Sequence, residues 1–145
     1  MIRRYGESAV AGRRYELRPG AYAILPRDGQ LLLTYQGGMF SEFQLPGGGI
    51  DPGESPMQAL YREVHEETGW RITTPRRLGA FRRFTYMPEY DRWAEKLCHI
   101  FLAQPVRCYG NPTEPDHTAV WADPDVAVNV LCNEGDRNFV AEMFT

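Results

Sequence analysis

Glu63, Glu66 and Glu67 lie in a stretch, 56–68, whose apolar residues recur at helical spacing. At about 100° per residue the three carboxylates share one stripe, with no basic residue between them. Met57, Leu60, Tyr61, Val64 and Thr68 form an adjoining stripe that can pack on a sheet. Like charges at i,i+4 cost a few tenths of a kcal/mol, roughly, even in solvent. These also stand at the C-terminal end, where the helix dipole disfavours anions. A sequence shaped only for stability would avoid the arrangement. A hard divalent cation reverses the sign, because Mg²⁺ takes oxygen ligands and leaves room for water and phosphate oxygens. The preceding Pro46-Gly47-Gly48-Gly49 lets backbone approach a ligand closely.

These side chains need elements to position them. Ser55 is an N-cap, Pro56 suits the first helical position, Gln58 completes a capping box and Gly69 stops the helix. Ahead of it, strands over 20–25 and 30–35 flank the turn Pro26-Arg27-Asp28-Gly29, which predicts a hairpin. A short strand, 43–45, runs into 46–49, where the glycines speak against regular structure. Downstream, 78–85, 96–103 and 118–122 read as strands. Asp123-Pro124 opens a short helix over 125–131, and Phe139, Val140, Met143 and Phe144 share one face of a C-terminal helix. Residues 1–19, rich in arginine, read as a flexible start or an edge strand. This order predicts an α/β protein, a mixed sheet covered by helices on both faces.

Gly48, Glu54 and the run Arg62-Glu63-Val64-His65-Glu66-Glu67-Thr68-Gly69-Trp70 fit Gx5Ex7REUxEExGU, where U is bulky and apolar, at every fixed position. This segment resembles the Nudix box; Trp70 departs mildly, an aromatic where aliphatics are commoner. The resemblance implies a Nudix-like α/β/α sandwich with a mixed central sheet. It also implies hydrolysis, dependent on Mg²⁺ or Mn²⁺, of a phosphoanhydride in a nucleoside diphosphate derivative. Carried over, Glu63, Glu66 and Glu67 become metal ligands with the Gly48 carbonyl, and Glu66 or Glu67 helps to activate water. Arg62 and Glu54 hold the loop against the helix. The chemistry suits a pyrophosphate, whose charge repels a nucleophile until metal neutralises it and lowers the pKa of bound water. Homodimers are common in this family. Two other readings remain: removal of diphosphate from RNA 5′ ends, and nucleotide binding without catalysis. The filled acidic positions argue against the latter.

Outside the box the expectations thin. Tyr86 stands in an aromatic and acidic stretch, 86–95, that suits an active-site loop. Glu114 and Asp116 are further candidates for a metal ligand or base. His117 is a candidate substrate contact, although a lone loop histidine is more often solvated. Arg82 and Arg83 must point to opposite faces of a strand, so at most one meets a phosphate; Arg82 is the candidate.

Length predicts one domain over 1–145 with a core of its own. The longest apolar run, 21–25, is far short of the roughly 20 residues that span a bilayer. No apolar stretch near the N-terminus reads as a signal peptide. Cys98, Cys108 and Cys132 are odd in number and lack CxxC spacing, which fits free thiols in a reducing cytoplasm. A net charge of −3 speaks against a general nucleic-acid coat. Its distribution is more telling: from Gly48 to Trp70 there are five acids and one base, while the rest of the chain carries 14 acids and 15 bases. The acidity is concentrated where a cation would be held, and the remainder suits a small anionic nucleotide.

Overall fold

The computed structural model describes residues 2–144. In chain order its elements are β1 (Arg3–Arg4), β2 (Glu16–Ile24), β3 (Pro26–Arg27), β4 (Gln30–Gln36), β5 (Glu42–Gln44), β6 (Gly47–Gly49), α1 (Pro56–Thr68), β7 (Trp70–Met87), β8 (Arg92–Cys108), β9 (His117–Ala122), α2 (Pro124–Val130) and α3 (Glu134–Met143). One sheet runs β1-β7-β8-β2-β6, with β2 parallel to β8 and β7 antiparallel to it. In the other, β4 pairs antiparallel with β3, β5 and β9.

Alternation along the central strands divides the interior in two. Ala21 and Ala23 of β2, Leu32 of β4 and Phe101 of β8 pack with Leu60 and Val64 of α1. Their sequence neighbours Ile24, Leu31, Leu33 and Ile100 join Ala127 of α2 and Val140 of α3 in the second cluster. Helices therefore flank a mixed α/β sheet system, as the residue pattern predicts. No helix among the described residues is long and apolar enough to cross a membrane.

Four local expectations change. The turn at Asp28-Gly29 joins β3 to β4, but β2 belongs to the other sheet, because the chain leaves its ladder with β8 at Ile24 and re-pairs from Pro26. Gly47–Gly49 is a strand after all: three glycines can lie flat against β2, where a Cβ on Gly47 would meet the Ala21 carbonyl at 2.1 Å. β7 and β8 extend well beyond the expected 78–85 and 96–103. β7 lies next to the sheet edge, where only the two residues of β1 cover it and polar side chains stay solvated, while β8 is extended by its long ladder with β7. Phe144 caps α3 in an exposed position rather than sharing its buried face. The helix over 56–68 stands as expected, with the Ser55–Gln58 capping box and Gly69 at φ 78°. Of residues 1–19, 3–4 form an edge strand and 16–19 begin β2.

Helix α3 docks through its first turn. Asn133 caps it by accepting from the Asp136 N–H at 2.7 Å, while the Asp136 carboxylate accepts from Asn133 Nδ2 at 2.8 Å. Asp136 is buried, which pushes its pKa up to about 6 although Arg83 and Lys96 pull it down. Gly135 stands against the buried Phe81 ring, whose atoms a Cβ would meet at 2.3–2.5 Å.

Gly135→Ala should therefore lower unfolding free energy by about 1–3 kcal/mol, read by chemical denaturation, because the ring cannot retreat through a packed core. Asp136 binds its proton more tightly folded than unfolded, where aspartate titrates near about 3.9. Its contribution is most favourable below that value, declines as pH rises, and levels off above about 6. Denaturation midpoints of the wild type should fall across that window, and Asp136→Asn should flatten the profile.

Candidate active site

The capping box fixes where α1 begins and Gly69 where it ends, so Arg62, Glu63, Glu66 and Glu67 emerge beside β6. Arg62 is the hub. Its Nε and Nη2 donate to Glu54 at 2.7 and 2.9 Å, Nη1 donates to Glu63 at 2.9 Å and Glu66 at 3.4 Å, and Nη2 also reaches the Gly49 carbonyl at 3.2 Å. Asp51 stands 3.3 Å away. Hydrogen bonds from Arg62 and from the Asp51 N–H hold the Glu54 carboxyl down near about 2. Arg62 is in turn held protonated. Loop 49–54 is thus tied to the helix, as expected of Arg62 and Glu54.

Glu63 lies against Gly48: a Cβ there would come within 2.5 Å of the carboxylate carbon. In this position the carboxylate occupies the space a Cβ on residue 48 would take. Burial raises the Glu63 pKa against the opposing pull of Arg62. Glu67 is more deeply placed. One oxygen accepts from the Gly47 N–H at 3.0 Å, and the other lies 3.6 Å from His117 Nε2. His117 Nδ1 pairs with the Thr34 hydroxyl at 2.8 Å. Burial pushes the Glu67 carboxyl well up and the His117 imidazole down. The Glu66 backbone carbonyl accepts from both Thr113 and Glu114 N–H groups, at 2.8 and 2.9 Å, which brings the 113–116 loop to the helix.

The donor set is all hard oxygen: three carboxylates and the backbone of a glycine that a Cβ would block. That chemistry suits a divalent cation. Among the described residues no three His, Cys, Asp or Glu side chains surround one common point, since Arg62 Nη1 bridges Glu63 and Glu66.

A cavity of about 570 Å³ opens beside this cluster. Glu63, Glu67, Gly48, Glu114 and Tyr86 line it. Glu54, Arg62, Glu66, Asp116 and Arg82 do not. Asp116 is exposed, its carbonyl accepting from Gly37 N–H at 2.8 Å. Arg82 is on the outer face of β7, 3.5 Å from Glu95. Its neighbour Arg83 takes the inward place, with Lys96 opposite it on β8 and Asp136 near both. The sequence reading missed Lys96 and Asp136, chose Arg82 over Arg83, and favoured a solvated His117 over a substrate contact. Strand alternation had marked Arg82 and Arg83 as opposites, but only pairing with β8 decides which one faces inward.

The chain matches the NUDIX domain family over residues 16–143. It is 36% identical over 118 residues to an RNA pyrophosphohydrolase of Pectobacterium atrosepticum, covering 79% of this chain and 55% of that one. It is 35% identical over 101 residues to a CMP-5'-(N-acetyl-N-hydroxy-3-aminopropyl)phosphonate hydrolase of Streptomyces rubellomurinus, covering 66% and 46%. The chain thus spans about half the length of these curated relatives. A NUDIX hydrolase of Nitrosomonas europaea has the same fold, with a TM-score of 0.72 at 21% identity over 88% of each chain. Members of the family generally use a divalent metal. The Arg62-braced carboxylates, the glycine strand beside them and the match across nearly the whole chain place this protein in the Nudix family.

Proposed function

We propose that the chain hydrolyses a phosphoanhydride bond in a nucleoside diphosphate derivative and releases a nucleoside phosphate. The observation that carries this is the placement of Glu63, Glu67 and Gly48 at the wall of a cavity that also holds Arg83 and Lys96, with Glu66 joined to Glu63 through Arg62. Glu63, Glu66, Glu67 and the Gly48 carbonyl would hold Mg²⁺, with Mn²⁺ a substitute. When bound, the metal supplies charge neutralisation for the pyrophosphate and a lower pKa for water. The protein's own part is positioning. Arg62 keeps Glu63 and Glu66 from splaying apart, and the Gly47 N–H orients Glu67. Water adds to phosphorus, the bridging P–O bond breaks, and Glu66 or Glu67 takes the water's proton. Glu114 is close enough to the cluster to raise the Glu63 and Glu67 pKa values, and it serves as a further acidic group at the mouth.

The substrate is a small nucleotide. RNA 5′ ends are the second reading, favoured by the name of the 36% identical relative and carrying the same anhydride. The three cysteines are free, two of them exposed, which suits a reducing cytoplasm. We read the chain as one domain, with homodimerisation as in many relatives.

Glu67→Gln keeps an oxygen for the Gly47 N–H, so it should fold normally and lose at least about 100-fold in kcat. Turnover should vanish in EDTA and return with Mg²⁺. An unchanged rate in the folded variant, on a nucleotide that the wild type cleaves, would overturn the reading.

A further inference from the structure

Tyr22 lines the cavity beside the acidic cluster. It belongs to β2, where it pairs with Gly47 of the glycine strand. Its ring lies close along bare backbone. A Cβ on Gly47 would meet Tyr22 Cδ1 at 2.8 Å, and one on Gly20 would meet Tyr22 Cε2 at 2.8 Å. The Cβ on Gly20 would also stand 3.0 Å from the Tyr22 hydroxyl oxygen and 3.0 Å from the Gly48 carbonyl oxygen. The hydroxyl is thus a close neighbour of the carbonyl that belongs to the metal-holding set.

Among the described residues the Tyr22 hydroxyl has no hydrogen-bond partner, and it is not sealed in the interior, so the cavity reaches it. A polar group withdrawn from bulk water without a partner costs free energy, which phenylalanine would avoid with the same ring. The other tyrosines of the cavity differ. The Tyr86 hydroxyl is tied to Asp91, and Tyr90 is exposed beneath Arg18. Burial pushes the Tyr22 pKa well up, Cys98, Asp136 and Glu67 add to this, and Arg83 opposes them. The group therefore stays a neutral donor at ordinary pH. It stands within electrostatic reach of both Glu67 and Arg83. An anion that touches Arg83 and a cation at the carboxylates finds this donor within reach. Being neutral, the hydroxyl does not repel that cation, as a lysine would.

We propose that Tyr22 is a catalytic residue: its hydroxyl donates a hydrogen bond to a non-bridging oxygen of the substrate's phosphoanhydride, beside the Gly48 carbonyl. This rests on the hydrolase reading above and adds to that site a residue outside the Nudix box. No proton is transferred, and the hydrogen stays on tyrosine. The fixed donor stabilises the phosphate oxygen as charge redistributes during cleavage. In a cavity partly shielded from water it acts more strongly than in solution.

Tyr22→Phe keeps the ring over the glycines and removes only the hydroxyl. Wild type and variant are compared in thermal melting, in Mn²⁺ affinity by electron paramagnetic resonance, and in Kd for an α,β-imido nucleoside triphosphate. Their kcat/KM is measured with Mg²⁺ on a nucleoside triphosphate and on a 5′-triphosphorylated RNA. Melting and Mn²⁺ affinity should be unchanged, because the hydroxyl has no partner in the protein and is not a metal ligand. On whichever substrate the wild type cleaves, kcat/KM should fall about 10- to 100-fold, as for a lost hydrogen bond to a charged acceptor. A raised Kd places the bond in the bound state already, and a fall in kcat at constant Kd places it in the transition state; both support the proposal. Equal kcat/KM overturns it while hydrolysis stands. A markedly lower melting temperature, or a loss of Mn²⁺ affinity that matches the loss of kcat/KM, also overturns it, since the hydroxyl would then serve the fold or the metal. If the wild type cleaves neither substrate, the hydrolase reading falls, and the imido analogue decides Tyr22 alone. A Kd raised about tenfold or more in the variant then supports the donor, and an equal Kd or no binding overturns it.

Discussion

Acidic side chains crowded onto the C-terminal half of one helix repel one another and the helix dipole, and Arg62 contains that repulsion. A single guanidinium reaches Asp51, Glu54, Glu63 and Glu66, on the helix and on the loop before it. Side chains this accessible form pairs of small individual worth, generally about 0–1 kcal/mol. The consequence is therefore geometric more than energetic. The loop cannot drift from the helix without leaving Arg62 behind, and Glu63 cannot leave Gly48 without losing its partner. Glu67 is outside this network. It is fixed by the Gly47 N–H and faces His117, so the site combines one braced group and one buried one.

The glycine strand makes that arrangement reachable. β6 lies close against β2, and its lack of side chains lets backbone and carboxylate occupy space that any other residue would fill. β2 belongs to both interior clusters through its alternating faces, so the floor of the site is anchored to both. Helix α1 rides on one of those clusters through Leu60 and Val64, and its acidic stripe is left at the edge.

The same cavity also holds two cations. The antiparallel ladder sets Arg83 beside Lys96, with the buried Asp136 of α3 as the acid that partly balances them. Glu42 and Glu89 also line the cavity and act on Lys96, so the two cations there are partly balanced by acids. Arg83 also lines a second cavity.

The helix over 56–68 and its caps were legible in the sequence because each signal acts within a turn or two: Ser55 on Gln58, Gly69 on His65, and the 3.6-residue period on the acidic and apolar stripes. The Nudix box was legible for the same reason, as most of it is that helix and its loop. The mixed α/β class followed from the order of such local elements. Residues far apart in the chain decided the rest. Only the pairing of β7 with β8 turned Arg83 inward and Arg82 outward, since alternation defines two faces without saying which is buried. Only β9 beside β4 brought His117 to Thr34 and Glu67. Three glycines became a strand because β2 offered an edge they could approach closely. Local sequence determines backbone conformation and periodicity. Long-range pairing determines what each face meets, and it is in those meetings that the cavity, its cations and its second compartment arise.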